Sequence, residues 1–156
     1  MDIIDLAFVE SHCVKMMFYP EAWDSSNTHH LDWEKLDFPP SKKSLVPRES
    51  GVYAFIVEPN LFSLKPANGL FYIGKATNLY NRISEYTGQL KKDFSDSQRP
   101  HIWKMVNQWN GRLKYYYTTT DVVATAEQLE EEMLKALRPP FNRQYDAETS
   151  QVMRAF

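Results

Sequence analysis

The chain has one cysteine, Cys13. A disulfide within it is therefore impossible, and a reducing compartment, the cytoplasm, is the expected setting. A zinc cage built from thiolates is excluded as well, because one sulfur cannot make a tetrahedral site. No apolar run approaches the ~18 to 20 residues that cross a bilayer, so no membrane partner is expected. The start, Met1-Asp2-Ile3-Ile4-Asp5, lacks the basic region of a secretory signal. Internal repeats and low-complexity stretches are also missing. So is a strong excess of charge of one sign, since the formal net charge is -2. What is present is 156 residues, 14% of them aromatic, enough for one domain with a real core and too apolar for a disordered chain.

The small net charge hides an uneven distribution. Asp2, Asp5, Glu10, Glu21, Asp24, Asp32, Glu34, Asp37 and Glu49 make the first fifty residues acidic. From Lys75 to Lys114 the balance reverses, with Lys75, Arg82, Lys91, Lys92, Arg99, Lys104, Arg112 and Lys114 against Glu85, Asp93 and Asp96. A basic band within an acidic protein is an electrostatic footprint for a polyanion. Lys75, Arg82, Lys91, Lys92, Arg99 and Lys104, with His101 on the same stretch, are the candidate nucleic-acid contacts.

Hydrophobic period and punctuation predict an α+β arrangement, in the order strand, strand, helix, helix, strand, helix. Val52 to Val57 and Leu70 to Gly74 form an antiparallel hairpin around a long loop that holds Pro66 and Asn68-Gly69. Thr77 or Asn78 caps a helix to about Tyr86, with Leu79, Ile83 and Tyr86 on its packed face. Pro100 opens the next helix, whose apolar side is Ile102, Trp103, Val106 and Trp109, and Asn110-Gly111 ends it. Leu113 to Thr120 alternates as a third strand. Thr125 and Gln128 form a capping box for the last helix, which has a stripe at Leu129, Met133 and Leu137 and stops at Pro139-Pro140. Residues 1–48 are open between strand and helix, with a connection at Phe38-Pro39-Pro40-Ser41.

The ordered set Gly51-Val52-Tyr53, Tyr72-Ile73-Gly74-Lys75-Ala76, Arg82, Glu130 and Arg138-Pro139-Pro140-Phe141-Asn142 is an inventory for cutting a phosphodiester bond. Hydrolysis needs a group to deprotonate water, positive charge for the phosphate, and help for the leaving oxygen. Glu130 borders the buried stripe of the last helix, whereas Glu131 and Glu132 turn further toward solvent, and Glu127 lies one turn before Glu130. Arginine forks suit nonbridging phosphate oxygens. His29-His30 lacks further ligands for a metal.

From Glu49 to Asn142 the chain resembles the GIY-YIG nuclease superfamily, with Val52 in place of the isoleucine of the name motif. The resemblance implies a small core with a three-stranded antiparallel sheet flanked by helices over 49–143, preceded by an N-terminal extension, 1–48, packed on it, and followed by a tail, 144–156. It implies a metal-dependent DNA endonuclease using one Mg²⁺ or Mn²⁺ per active site, with Glu130 as metal ligand and Arg82 on the scissile phosphate. Tyr53 is the expected base. Tyr72 is a positioning group or the alternative base, and Lys75 is an activator or phosphate ligand. Tyr86 lies near the phosphate, and Asn142 holds the site together. DNA is the expected partner, with RNA left open and a homodimer or partner protein as the route to double-strand cutting in restriction, anti-phage defence or repair. The rival reading is a non-catalytic or partner-dependent nucleic-acid-binding protein on the same fold.

Overall fold

The computed structural model describes residues 18–58 and 69–142. The expectations for residues 1–17, for most of the hairpin loop and for the tail lie outside the described residues. Eight main elements follow in order: α1 (Pro20–Asp24), β1 (Glu34–Asp37), β2 (Gly51–Val57), β3 (Gly69–Ala76), α2 (Leu79–Gln89), α3 (Pro100–Gln108), β4 (Leu113–Thr119) and α4 (Val123–Leu137). The four strands form one sheet in the order β1-β4-β2-β3, and every neighbouring pair is antiparallel.

The sheet therefore has four strands where the sequence predicts three. The extra strand, Glu34-Lys35-Leu36-Asp37, shows no apolar alternation because it is a mostly exposed edge. Its place is set by backbone pairing with Lys114 to Tyr117 and by an ion pair between Asp37 and Lys114. Charged side chains on an edge strand also discourage pairing with another sheet.

β2 is buried on both faces, which is why its run is almost continuously apolar. Tyr53, Phe55 and Val57 join Leu79, Ile83 and Tyr86 of α2 and Ile102, Met105 and Val106 of α3 in one core cluster. Val52 and Ala54 face the other way, onto Ala126, Leu129, Met133 and Leu134 of α4. The sheet is thus a partition, with α2 and α3 on one side and α4 on the other.

Local signals explain most boundaries. Asn78, one of the two expected caps, accepts a hydrogen bond from the Asn81 backbone N–H at 3.0 Å, and its helix runs past Tyr86 to Gln89. Pro100 opens α3 as expected. The start of α4 differs: it begins at Val123, two residues before Thr125, and its N-cap Val122 offers no side-chain bond. Gln128 turns its amide to Glu132 at 2.9 Å instead of completing a capping box. Residues ahead of β2 are woven into the core. Tyr19 N–H donates to the Ala136 carbonyl of α4, and Phe38 and Val46 lie in the main cluster.

Candidate active site

β3 is an edge strand, and successive side chains on a strand point to opposite faces. Tyr72 and Gly74 lie on the α2 side, opposite Phe55 and Tyr53 of β2, while Ile73 and Lys75 lie on the α4 side, opposite Ala54 and Val52. The predicted site residues therefore divide around this edge. The phenols and Arg82 stand on one face, and Lys75 with the acidic helix stands on the other.

On the first face Tyr53, Tyr72 and Tyr86 converge. The Tyr53 and Tyr86 hydroxyls are 2.7 Å apart. The Tyr53 and Tyr72 rings stack at 6.2 Å between centroids, and Tyr72 meets Tyr86 edge-on at 6.1 Å. Burial, foremost, together with the other phenols, holds the Tyr53 and Tyr86 hydroxyls well above the ordinary tyrosine range. Tyr53 is 2% exposed and Tyr86 is fully buried, whereas Tyr72 keeps open surface. Gly74 is the floor of this cluster, since the Tyr53 ring lies where a Cβ would stand. Arg82 comes from α2, one turn before Tyr86, and pairs with Glu85 at 2.7 Å.

On the second face Lys75 bridges two carboxylates, Glu127 at 3.1 Å and Glu130 at 3.7 Å. The Glu130 side chain is 18% exposed. Burial raises its pKa, against the Lys75 ammonium, a Lys75 backbone hydrogen bond and the field of Arg82. The same Arg82 field reaches Tyr53. Glu131 faces solvent and pairs with Lys135. Glu132 does not simply turn to solvent as expected: it accepts bonds from the Asn27 backbone and side chain at 2.6 and 3.0 Å.

Asn142 closes the edge. Its amide accepts from Ile73 N–H at 2.9 Å and donates to the Ile73 carbonyl at 2.6 Å, so one side chain replaces a missing strand partner. The preceding Phe141 N–H bonds the Phe71 carbonyl at 3.0 Å.

Among the wider basic candidates, Lys91 and Lys92 are exposed just past α2, Lys104 lies beside the Phe94 ring, and His101 is half-buried in α3. Arg99 is closer to the chemistry than its sequence position suggests. It sits 5.6 Å over the Tyr86 ring and 3.8 Å from Glu85. Glu127 is the other residue drawn in, and its position one turn from Glu130 was the signal. His29 bonds the Trp23 carbonyl and belongs to the packing of the N-terminal segment. Among the described residues no three His, Cys, Asp or Glu side chains form a metal cage. A half-buried carboxylate with a second one turn away fits a hard cation that keeps most of its waters. An apolar cavity of about 290 Å³, lined by Trp23, Trp33, Ala54, Ile73 and Met133 among others, involves none of the predicted site side chains.

A four-stranded antiparallel sheet with helices on both faces agrees with the α+β GIY-YIG fold expected from the sequence. The UvrC-like GIY-YIG domain matches residues 49–143, and the chain belongs to that family. It is 36% identical over 117 residues to the UvrABC system protein C of Neisseria gonorrhoeae, covering 74% of this chain and 16% of that protein. The chain thus spans about one-sixth of the curated relative it matches. Among solved structures it is similar to the GIY-YIG N-terminal endonuclease domain of UvrC from Thermotoga maritima bound to magnesium, its catalytic divalent cation. There the identity is 25% and the TM-score 0.45, over 65% of this chain and 91% of that one. A point mutant of that domain, also bound to its cation, matches at 24% identity and TM-score 0.46, over 65% and 91%.

Proposed function

We propose that the protein is a metal-dependent DNA endonuclease that hydrolyses phosphodiester bonds with water as nucleophile. The observation that carries this reading is the match of residues 49–143 to the UvrC-like GIY-YIG domain, together with a tyrosine cluster on the Arg82 side of β3 and the Lys75–Glu130 pair on its other side. A phosphate bound by Arg82 would have the phenols on its own face of β3 and the carboxylate across that strand, the two kinds of group that the chemistry needs.

Glu130, with Glu127 one turn away, would hold one Mg²⁺ or Mn²⁺, which supplies charge for the phosphate and the leaving oxygen. Lys75 neutralises the same carboxylates in the protein alone, so its ammonium must yield part of that role when a cation binds. A guanidinium such as Arg82 remains charged throughout and offers a fork to the nonbridging oxygens.

For the base, exposure weighs toward the alternative kept open by the sequence. Tyr53 is buried and its hydroxyl is committed to Tyr86, while Tyr72 has surface that a water can reach. Tyr72 therefore takes the proton, and Tyr53 and Tyr86 order it from behind. One site cuts one strand, so double-strand cleavage requires two copies or two successive nicks.

The test is incubation of labelled duplex and single-stranded DNA with Mg²⁺, Mn²⁺ or EDTA, beside Glu130→Gln, Arg82→Ala, Tyr72→Phe and Tyr53→Phe. Cleavage is expected with either metal and absent in EDTA. Losing a general base costs about 10²- to 10⁴-fold, so Tyr72→Phe should fall in that range and Tyr53→Phe should fall less. Cutting that survives Glu130→Gln removes the metal assignment. Intact binding without cutting on any substrate moves the reading to the non-catalytic or partner-dependent protein.

A further inference from the structure

Glu85 is absent from the set of groups that the proposed reaction uses, yet one of its oxygens is the meeting point of two arginines. Oε2 of Glu85 lies 2.7 Å from Nη1 of Arg82 and 3.8 Å from Nη1 of Arg99. Arg82 comes from the first turn of α2, and Arg99 from the residue that opens α3. The two are seventeen positions apart in the sequence, and both side chains remain 35% exposed.

Arg99 is held from both sides. Its backbone N–H donates to the Ser97 hydroxyl at 3.2 Å, and its carbonyl accepts from Trp103 N–H at 2.9 Å. Its guanidinium then reaches over the Tyr86 ring at 5.6 Å from the ring centre, and the Tyr86 hydroxyl itself meets Tyr53. Two guanidiniums at one point repel unless an anion joins them. In the free protein the anion is Glu85, 52% exposed, hydrogen-bonded to Arg82 and standing 3.8 Å from Arg99. A phosphodiester presents an equivalent pair of anionic oxygens, and arginine forks bind these more specifically than point charges do.

We propose that Arg82 and Arg99 form a two-guanidinium seat for one DNA phosphate, and that the Glu85 carboxylate fills this seat until the phosphate displaces it. The inference rests on the nuclease reading above and adds a second phosphate ligand and an internal competitor to it. Glu85 then sets a threshold: nucleic acid enters only where its phosphate outcompetes a carboxylate already in place.

The experiment is binding of a labelled DNA duplex to the full chain in EDTA across a salt series, with cleavage in Mg²⁺ measured alongside. Arg99→Ala is expected to weaken binding about tenfold and to reduce the log–log salt slope by about 1, as loss of one phosphate contact does. Arg99→Lys should restore the slope but not the full affinity. Glu85→Gln, a near-isosteric change at an exposed position, should tighten binding severalfold, and that gain should vanish in the Arg99→Ala background. Cleaving wild type whose affinity and slope ignore both substitutions overturns the seat and leaves the nuclease reading standing. If wild type neither binds nor cuts DNA, the nuclease reading fails, and the seat is decided with inorganic phosphate by NMR of the arginine Nε–H signals. Joint shifts of Arg82 and Arg99, strengthened in Glu85→Gln, support it. A silent Arg99 overturns it.

Discussion

A Cβ added to Gly74 would stand 2.4 Å from the Tyr53 hydroxyl oxygen and 2.5 Å from its Cζ. The obstacle is not a flexible chain end. The Tyr53 ring is fixed by stacking on Tyr72 and Tyr115 and by the bond to Tyr86. Gly74→Ala must push apart β3 and the phenol, an overpacking that costs about 1–3 kcal/mol. Thermal melting should show that loss, and cleavage should fall further than the fraction unfolded accounts for, because the cluster itself moves. The same phenols make stability depend on alkaline pH. Burial holds Tyr53, Tyr86 and Tyr115 above the ordinary tyrosine value, which is ~10 in the unfolded chain. The folded state keeps protons that the unfolded chain releases, so this contribution is whole below pH ~10 and is lost as pH rises toward the folded values. Urea midpoints should be insensitive to these groups from about pH 7 to 9 and fall above about pH 10. The fall should be shallower in Tyr53→Phe, and an equal fall in both proteins contradicts the assignment.

At the scale of elements, the edge of β3 holds the two halves of the site in register. Asn142 satisfies both backbone groups of Ile73, and two residues further along β3 the Lys75 side chain pairs with Glu130 at 3.7 Å. Asn142→Leu keeps the volume and removes both bonds. Each buried polar group left without a partner costs about 1–3 kcal/mol, and the freed edge should show itself as faster hydrogen exchange at the Ile73 amide. Unchanged Ile73 protection would mean that β3 does not need this clamp. Much of this element pattern was legible in the chain, because β2, β3, α2 and α3 announce themselves through apolar rhythm, Asn78 and Pro100. β1 does not, since an exposed edge of Glu, Lys, Leu and Asp carries no alternation and is ordered only by the strand beside it. The early start of α4 is also hidden, because Val122 makes no side-chain cap and Val123 to Thr125 are exposed, so neither a cap nor a buried stripe marks it. The candidate site was legible as a list of residue types. Its division across an edge strand follows from strand parity once the register is known, but the approach of Arg99 to Glu85 and Tyr86 joins two elements whose contact no local spacing encodes.

For the whole molecule, the question is how much of the chain forms the folding unit. The family match begins at residue 49, yet the sheet and core begin earlier. β1 pairs along β4 from Glu34↔Tyr117 to Asp37↔Lys114. Phe38 and Val46 are each 2% exposed, and Phe38 meets Phe55 edge-on at 5.1 Å between centroids. Below the sheet, α1 and the turn after it fasten to α4 through Tyr19, and through Asn27 to Glu132. Burying side chains of this kind stabilises by about 1.5–3 kcal/mol each, within a domain total of about 5–15 kcal/mol. Cutting at residue 49 removes both core side chains, opens the β4 edge to pairing with other chains, and bares the apolar surface that Trp23 and Trp33 help to line. Residues 49–156 alone should therefore lose a cooperative melting transition, bind an apolar dye and aggregate, while the full chain does not. Phe38→Ala in the full chain tests the same point without truncation and should cost about 3–5 kcal/mol. A sharp transition in the truncated chain at the full chain's midpoint would show that the family domain closes by itself and that residues 18–48 only rest upon it.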